Sequence, residues 1–307
     1  MAERVLVLGG SGFIGRHFVA QLARAELRVT VPSRHRERAK YLILLPTVDV
    51  VQADIFAPGM LERLMRNQDV VVNLAGILHG DFERMHVELP GAIVAACRAT
   101  GVKRLLHMSA LGADLNGPSA YQRTKGEGER VVLDARDLHV SVFRPSVVFG
   151  PEDRFLNRFA AMARFLPVLA VPCPHARFQP VYVGDVALAM MSALDDTESY
   201  GRVYELGGPR EYELVQLVEL VCAMTGRHRL VVGLPPRLSH AQAWLLEHLP
   251  GRLMTRDNYN SMQVPNTTSV PFPYGIAPQA LEGVAPAYLR PPGPRERYPQ
   301  LRWRARR

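Results

Sequence analysis

Short apolar runs alternate with stretches of helical periodicity through the first half of the chain. The runs are Val5 to Leu8, Leu27 to Val31, Val48 to Gln52, Val70 to Leu74, Leu105 to Met108 and Val140 to Phe143. Around residues 57–66, 84–100 and 119–135 the apolar positions instead recur with the spacing of one helix face. Strands that alternate with helices predict a parallel, doubly wound α/β sheet, with ligand at the carboxyl ends of its strands. Residues 1–150 are expected to form a dinucleotide-binding core. Residues 151–289 are expected to form a smaller substrate lobe, interleaved with the last strands and helices of that core, and residues 290–307 a basic Pro/Arg-rich tail.

The first apolar run enters a glycine cluster that opens into a helical pattern. Gly10, Gly12 and Gly15 fit G-x-G-x-x-G, and Gly9, Gly12 and Gly15 fit G-x-x-G-x-x-G. Without side chains the turn is tight, the backbone approaches a pyrophosphate closely, and N–H groups at the helix start face the anion. Gly9, Gly10, Ser11, Gly12, Phe13, Ile14 and Gly15 are therefore candidate cofactor contacts. The alternative is a tight structural turn. The acid expected on the ribose about 20 residues further on is absent, because the second run ends in Pro32-Ser33-Arg34-His35-Arg36. A carboxylate there would repel a 2′-phosphate, whereas Ser33 with Arg34 or Arg36 can donate to one, which favours NADP(H). A solvated basic loop is the plainer reading of the same residues.

Tyr121 and Lys125 lie one helical turn apart, so phenol and ammonium share a helix face. Of 37 Lys and Arg residues only Lys40, Lys103 and Lys125 are lysine, which suggests that a compact, titratable ammonium is wanted at position 125. An adjacent ammonium is expected to lower the phenol towards neutrality, so that Tyr121 exchanges a proton with a carbonyl or alcohol. Ser109, after the fifth run, is placed to hold the same oxygen. A surface helix pair is the competing reading. Gly126 and Gly128 weaken this helix by roughly 1 kcal/mol each, and nothing in the sequence says why they are there.

Composition narrows the class of protein. The chain has 307 residues, 48% hydrophobic, enough for a large core. Its formal charge of +8 sits mostly in residues 290–307, where seven arginines against one glutamate account for +6. Tyr298 and Trp303 alone do not make a nucleic-acid surface. The amino-terminal apolar stretch is too short for a membrane span and lacks a signal peptide's order of regions. Cys97, Cys173 and Cys222 are odd in number and widely spaced, which argues against a disulfide framework or a metal site. A cytoplasmic protein is expected.

With these motifs in view, the chain resembles the short-chain dehydrogenase/reductase superfamily, specifically its extended and atypical, epimerase/dehydratase-like members. The match runs from about residue 4 to 225 and implies a Rossmann-type fold. The resemblance assigns the glycine loop to Gly9 through Gly15 and an adenine-contacting acid to Asp54, with Ile55 beside it. It assigns the Asn-x-Ala-Gly motif to Asn73, Leu74, Ala75 and Gly76, the catalytic trio to Ser109, Tyr121 and Lys125, and the nicotinamide-lining loop to residues 144–151, including Pro145 and Val148. Gln179 to Val186 looks like the later strand-to-helix signature. Glu152 to Asn157 and Leu253 to Asn258 are similar to bacterial relatives of the NADPH-binding accessory subunit of respiratory complex I. There are departures: His86 stands where the family's helix supplies an asparagine, and only 12 residues separate Ser109 from Tyr121.

Two functions follow. The first is an NADP(H)-dependent oxidoreductase or epimerase on a carbonyl or secondary alcohol. Its small-molecule substrate is not identified by the sequence, and Arg154, Asn157 and Arg177 are candidate substrate contacts or, equally, structural salt bridges and loop hydrogen bonds. The second is a binding module in which NADPH stabilises the fold and the surface docks on a respiratory or quinone-biosynthesis assembly, peripherally at the inner face of the membrane. Residues 240–249, with Trp244, Leu245, Leu246 and Leu249, offer an apolar helix face to such a partner; the commoner arrangement buries that face in the small lobe.

Overall fold

The computed structural model describes residues 2–248 and 254–290. The tail from residue 291 onward, Leu249 and Leu253 lie outside the described residues. Seven parallel strands form the central sheet: β1 Arg4–Leu8, β2 Arg28–Ser33, β3 Val48–Gln52, β4 Val70–Asn73, β5 Arg104–Met108, β6 His139–Pro145 and β7 Arg202–Leu206. Their order is β7-β6-β5-β4-β1-β2-β3. The chain reverses direction across the sheet between β1 and β4, where Leu8 pairs with Asn73, and ligands of such sheets bind at that switch point. β2 and β6 run past the apolar runs that announce them, and β7 has no counterpart among the expected strands.

Helices cover both faces, which is why β4 and β5 are wholly buried, apolar except at Asn73, Arg104 and His107. On one face α1 (Phe13–Arg24) and α6 (Val183–Ala193) bring Phe18, Val19, Leu22, Val186 and Met190 onto the sheet. On the other, α2 (Met60–Met65), α3 (Leu89–Thr100) and α4 (Ala120–Leu133) contribute Leu64, Ile93, Cys97 and Val132. A π-helical turn, Arg84–Glu88, precedes α3.

Arg104, at the start of β5, is 6% exposed and donates to carbonyls and hydroxyls rather than to a carboxylate. Its acceptors include the Ala193 and Leu194 carbonyls at the end of α6 and the Ser141 and Ser199 hydroxyls. The negative end of a helix dipole thus takes the place of a counter-ion. All three cysteines are unpaired, Cys97 and Cys222 in the core.

The remaining elements pack as a smaller C-terminal lobe. α5 (Leu156–Phe165) and α7 (Leu214–Met224) meet the segment 281–289 through Phe149, Leu156, Leu217, Val221 and Leu281. Asp153 ties the lobe together: its carboxylate accepts from the amides of Phe155, Leu156 and Asn157 and from the Tyr288 hydroxyl. α8 (Pro236–Glu247) departs from the arrangement expected of its apolar face. It buries Ser239 and Ala243, while Trp244 and Leu245 are exposed. Small residues let the helix sit close to the lobe, and the large ones are left outside.

Candidate functional site

The carboxyl ends of the strands bring the sequence-derived residues to one edge. Gly9 follows β1, Ser33 ends β2, Asp54 follows β3, Leu74 to Gly76 follow β4, Ser109 follows β5 and Pro145 ends β6. Of the two glycine spacings, Gly9, Gly12 and Gly15 make the turn itself. Gly9 has φ +79°, and a Cβ there would lie 2.7 Å from the Ala75 nitrogen. A Cβ at Gly15 would lie 2.4 Å from the Gly9 carbonyl oxygen, and the Gly12 amide donates to that same oxygen at 2.9 Å. A Cβ at Gly10 would lie 3.0 Å from both Val31 methyls, so the Val31 side chain packs directly on the Gly10 backbone. No side chain caps α1, which starts at Phe13 with Ile14 and Gly15 next in its first turn. Side-chain-free backbone beside an uncapped helix start fits a dinucleotide pyrophosphate.

Around this cradle Ser33 donates its hydroxyl to the His35 carbonyl, and Arg34 and Arg36 are exposed. Two residues that sequence reasoning passed over stand next to them. The Tyr41 hydroxyl donates to the Ser11 carbonyl at 2.7 Å, and the Arg16 guanidinium lies 4.3 Å from the Tyr41 ring. The only signal for Arg16 was its place directly after the third glycine. Asp54 is exposed and accepts from the Phe56 amide, with Ile55 packed on the core. Asn73 is buried; its side chain accepts from the Ala75 amide and meets His107 at 3.2 Å, which fixes the Leu74–Gly76 turn. Val148 pairs with Val181, and Ser146 between Pro145 and Val148 is held by Asn266 at 2.7 Å.

The catalytic candidates sit on and around α4. Ser119 and Gln122 form a capping box at its start, and the Asp257 carboxylate accepts from the amides of Ala120 at 2.7 Å and Tyr121 at 3.2 Å. Asp257 lies on the short helix α9 (Arg256–Ser261), so the lobe caps the helix that carries Tyr121. The two glycines now have a reason. A Cβ at Gly128 would lie 1.7 Å from the His86 carbonyl oxygen, and one at Gly126 2.8 Å from the Asp114 backbone. The π turn and the 114–115 loop pack directly on the helix backbone.

The electrostatics differ from the expectation in one respect. Burial pushes the Tyr121 phenol up to about 12, where the adjacent ammonium was expected to lower it. Lys125, 6% exposed, donates instead to the Met108 carbonyl at 2.7 Å. Burial also pushes that ammonium down to about 8, with Glu129 opposing. His86 is neutral. Burial, then the Lys125 charge, lower it to about 3, and it accepts from the Ile77 amide at Nε2 while Nδ1 meets Thr124 Oγ1 at 3.1 Å. Its ring stands edge-to-face with Tyr121, centroids 5.5 Å apart. Ser109 is 3% exposed and its hydroxyl has no hydrogen-bond partner.

The three candidate substrate contacts divide. Asn157 donates to the Pro151 and Asp153 carbonyls, and Arg177 pairs with Glu211, both structural arrangements; Arg154 is exposed on its loop. Among the described residues no cluster of His, Cys, Asp and Glu could hold a metal ion, and no helix is long and apolar enough to cross a membrane.

Comparison with known proteins agrees with this architecture. The family model for the NAD dependent epimerase/dehydratase family matches residues 5–207. The mitochondrial NADH dehydrogenase [ubiquinone] 1 alpha subcomplex subunit 9 is 33% identical in Mus musculus over 241 residues, covering 75% of this chain and 63% of that protein. The Arabidopsis thaliana protein of that name is 33% identical over 84% of this chain and 68% of its own length. A ceramide reductase of Caulobacter vibrioides is 30% identical over 61% of this chain and 60% of its own length. Among solved structures, the dTDP-glucose 4,6-dehydratase DesIV of Streptomyces venezuelae, determined with NAD bound, superposes with a TM-score of 0.69 at 23% identity, covering 77% of this chain and 86% of its own. Fold, motif order and family model coincide, and the chain belongs to the NAD-dependent epimerase/dehydratase family.

Proposed function

We propose that the chain is an NADP(H)-dependent oxidoreductase or epimerase that works on the carbonyl or secondary alcohol of a small molecule. The observation that carries this reading is the buried, unpartnered Ser109 hydroxyl at the strand edge that also holds the glycine cradle. A hydroxyl stripped of water without a partner costs roughly 1–3 kcal/mol, and a substrate oxygen would satisfy it. Gly9 through Gly15 would hold the pyrophosphate, Ser33, Arg34 and Arg36 the 2′-phosphate, Asp54 and Ile55 the adenine end, and Leu74 to Gly76 with Pro145 and Val148 the nicotinamide end. The bound cofactor supplies or accepts hydride. A phenol pushed up to about 12 is protonated at neutral pH, so Tyr121 would give a proton to a carbonyl oxygen as hydride arrives. Lys125, at about 8, exchanges protons near neutrality and can restore the one Tyr121 gives.

A second reading draws on the relatives, several of which are mitochondrial complex I subunits. In it NADP(H) is a structural ligand, which at 1,000 times its dissociation constant adds about 4 kcal/mol, and the protein works at an assembly on the cytoplasmic side of a membrane. Fluorescence displacement of NADPH by excess NADP⁺ separates the two. Release within seconds, affinity for NADPH at least about tenfold above NADH, and loss of turnover in Tyr121→Phe on a screened carbonyl substrate support the enzyme. Retention for hours, or a Tyr121→Phe protein with unchanged turnover, refutes it.

A further inference from the structure

The C-terminal lobe carries a two-stranded parallel sheet, Val168–Val171 beside Leu230–Gly233, with Leu230 opposite Val168 and Val232 opposite Ala170. Leu169 and Val171 point into the lobe core. Alternate side chains point the other way, and there Val168, Leu230 and Val232 are exposed, Leu230 by 63%. Phe165 and Leu166 lead into the first strand, Phe165 with 76% of its surface in water. α8 flanks the same strand through the Gln242 side chain, which donates to the Ala170 carbonyl at 3.2 Å. It adds Leu238, Leu245 and Trp244, the last 52% exposed.

The charges around this apolar face are mainly positive. Residues 163–171 and 227–246, which carry it, contain Arg164, Arg227, Arg229 and Arg237 and no aspartate or glutamate, and Glu247 at the end of α8 is paired with Arg256. Arg227 and Arg229 donate to the Arg164 and Ala163 carbonyls at the end of α5, which holds both at the margin of the face. The Arg164 guanidinium lies 5.4 Å from the Phe165 ring. Trp, Phe and Leu side chains with an arginine rim match a surface that is apolar below and anionic above. A second copy docked about a two-fold axis would bring like charges together.

We propose that this face docks the protein peripherally on an anionic lipid surface, with Trp244 and the open sheet face entering the headgroup boundary and the arginines meeting lipid phosphates. The proposal is independent of turnover at Tyr121 and of the cofactor, so either can fail without the other.

The chain has two tryptophans, and the full-length Trp303→Phe protein leaves Trp244 as the only reporter. This protein is mixed with phosphatidylcholine vesicles with and without about 30% phosphatidylglycerol. The expected result is a blue shift of Trp244 emission and quenching by brominated acyl chains on the anionic vesicles only, reversed by high salt. Phe165→Ser with Leu230→Ser, and separately Arg164→Glu with Arg237→Glu, should each weaken binding by about tenfold or more without shifting the melting temperature. Three outcomes overturn the proposal. One is sedimentation with vesicles while Trp244 emission stays unchanged, which assigns binding to the tail. Another is equal binding to neutral vesicles. The third is a concentration-dependent blue shift without lipid, accompanied by dimerisation in analytical ultracentrifugation, which assigns the face to a second copy.

Discussion

His86 makes the folded protein sensitive to acid in a window set apart from its carboxylates. The ring is 2% exposed, accepts at Nε2 from the Ile77 amide, and is lowered from 6.5 to about 3, by burial first and the Lys125 charge second. A base whose folded value is lowered is neutral in the folded chain while the unfolded chain takes up a proton. Stability is therefore lost as pH falls below 6.5, and the loss is complete near the folded value. Between pH 8 and pH 5 the unfolded imidazole shifts by about 1.5 pH units past its midpoint, which costs about 2 kcal/mol. His107, also buried and lowered by burial, Lys125 and His86 in that order, contributes a loss of the same sign. His86→Asn keeps a neutral acceptor for Ile77 and a donor for Thr124, but cannot take up a proton. Urea unfolding of both proteins at pH 8, 6 and 5 should show the wild type losing about 2 kcal/mol more than the variant, whatever their offset at pH 8. Parallel pH profiles would refute the reasoning, because they would mean that His86 is protonated in the folded state.

Two further substitutions probe the packing around Tyr121. Gly128→Ala gains about 1 kcal/mol of helix propensity, yet its methyl would meet the His86 carbonyl, so thermal denaturation should show a net loss of several kcal/mol; a stabilised variant would contradict the close packing of the π turn. Asp257→Ala removes the carboxylate that receives the Ala120 and Tyr121 amides and should cost about 1–2 kcal/mol, with faster hydrogen exchange at those two amides; unchanged exchange would mean that the lobe does not hold this helix.

Strand and helix alternation, the glycine turn and the Tyr121–Lys125 spacing were legible in the sequence because each depends on residues within a few positions of one another. The expected strand Val48 to Gln52 is observed with those ends, and the helical pattern over 84–100 is one continuous helical stretch that begins with a π turn. The direction of the Tyr121 shift was not legible. It depends on how much protein surrounds the phenol and on where Lys125 points, and a four-residue spacing carries neither.

The sequence by itself determined the parallel sheet and the family, since periodicity and turn chemistry are local and repeat along the chain. Only the tertiary structure decided the rest. It explained Gly126 and Gly128 by backbones that press on them, supplied Asp257 from 136 residues beyond Tyr121, and gave Arg104 a helix end in place of an acid. It also placed Arg16 against Tyr41 and turned Trp244 outward. Each of these rests on contact between segments far apart in the chain, where distance and burial, rather than order, set the energy.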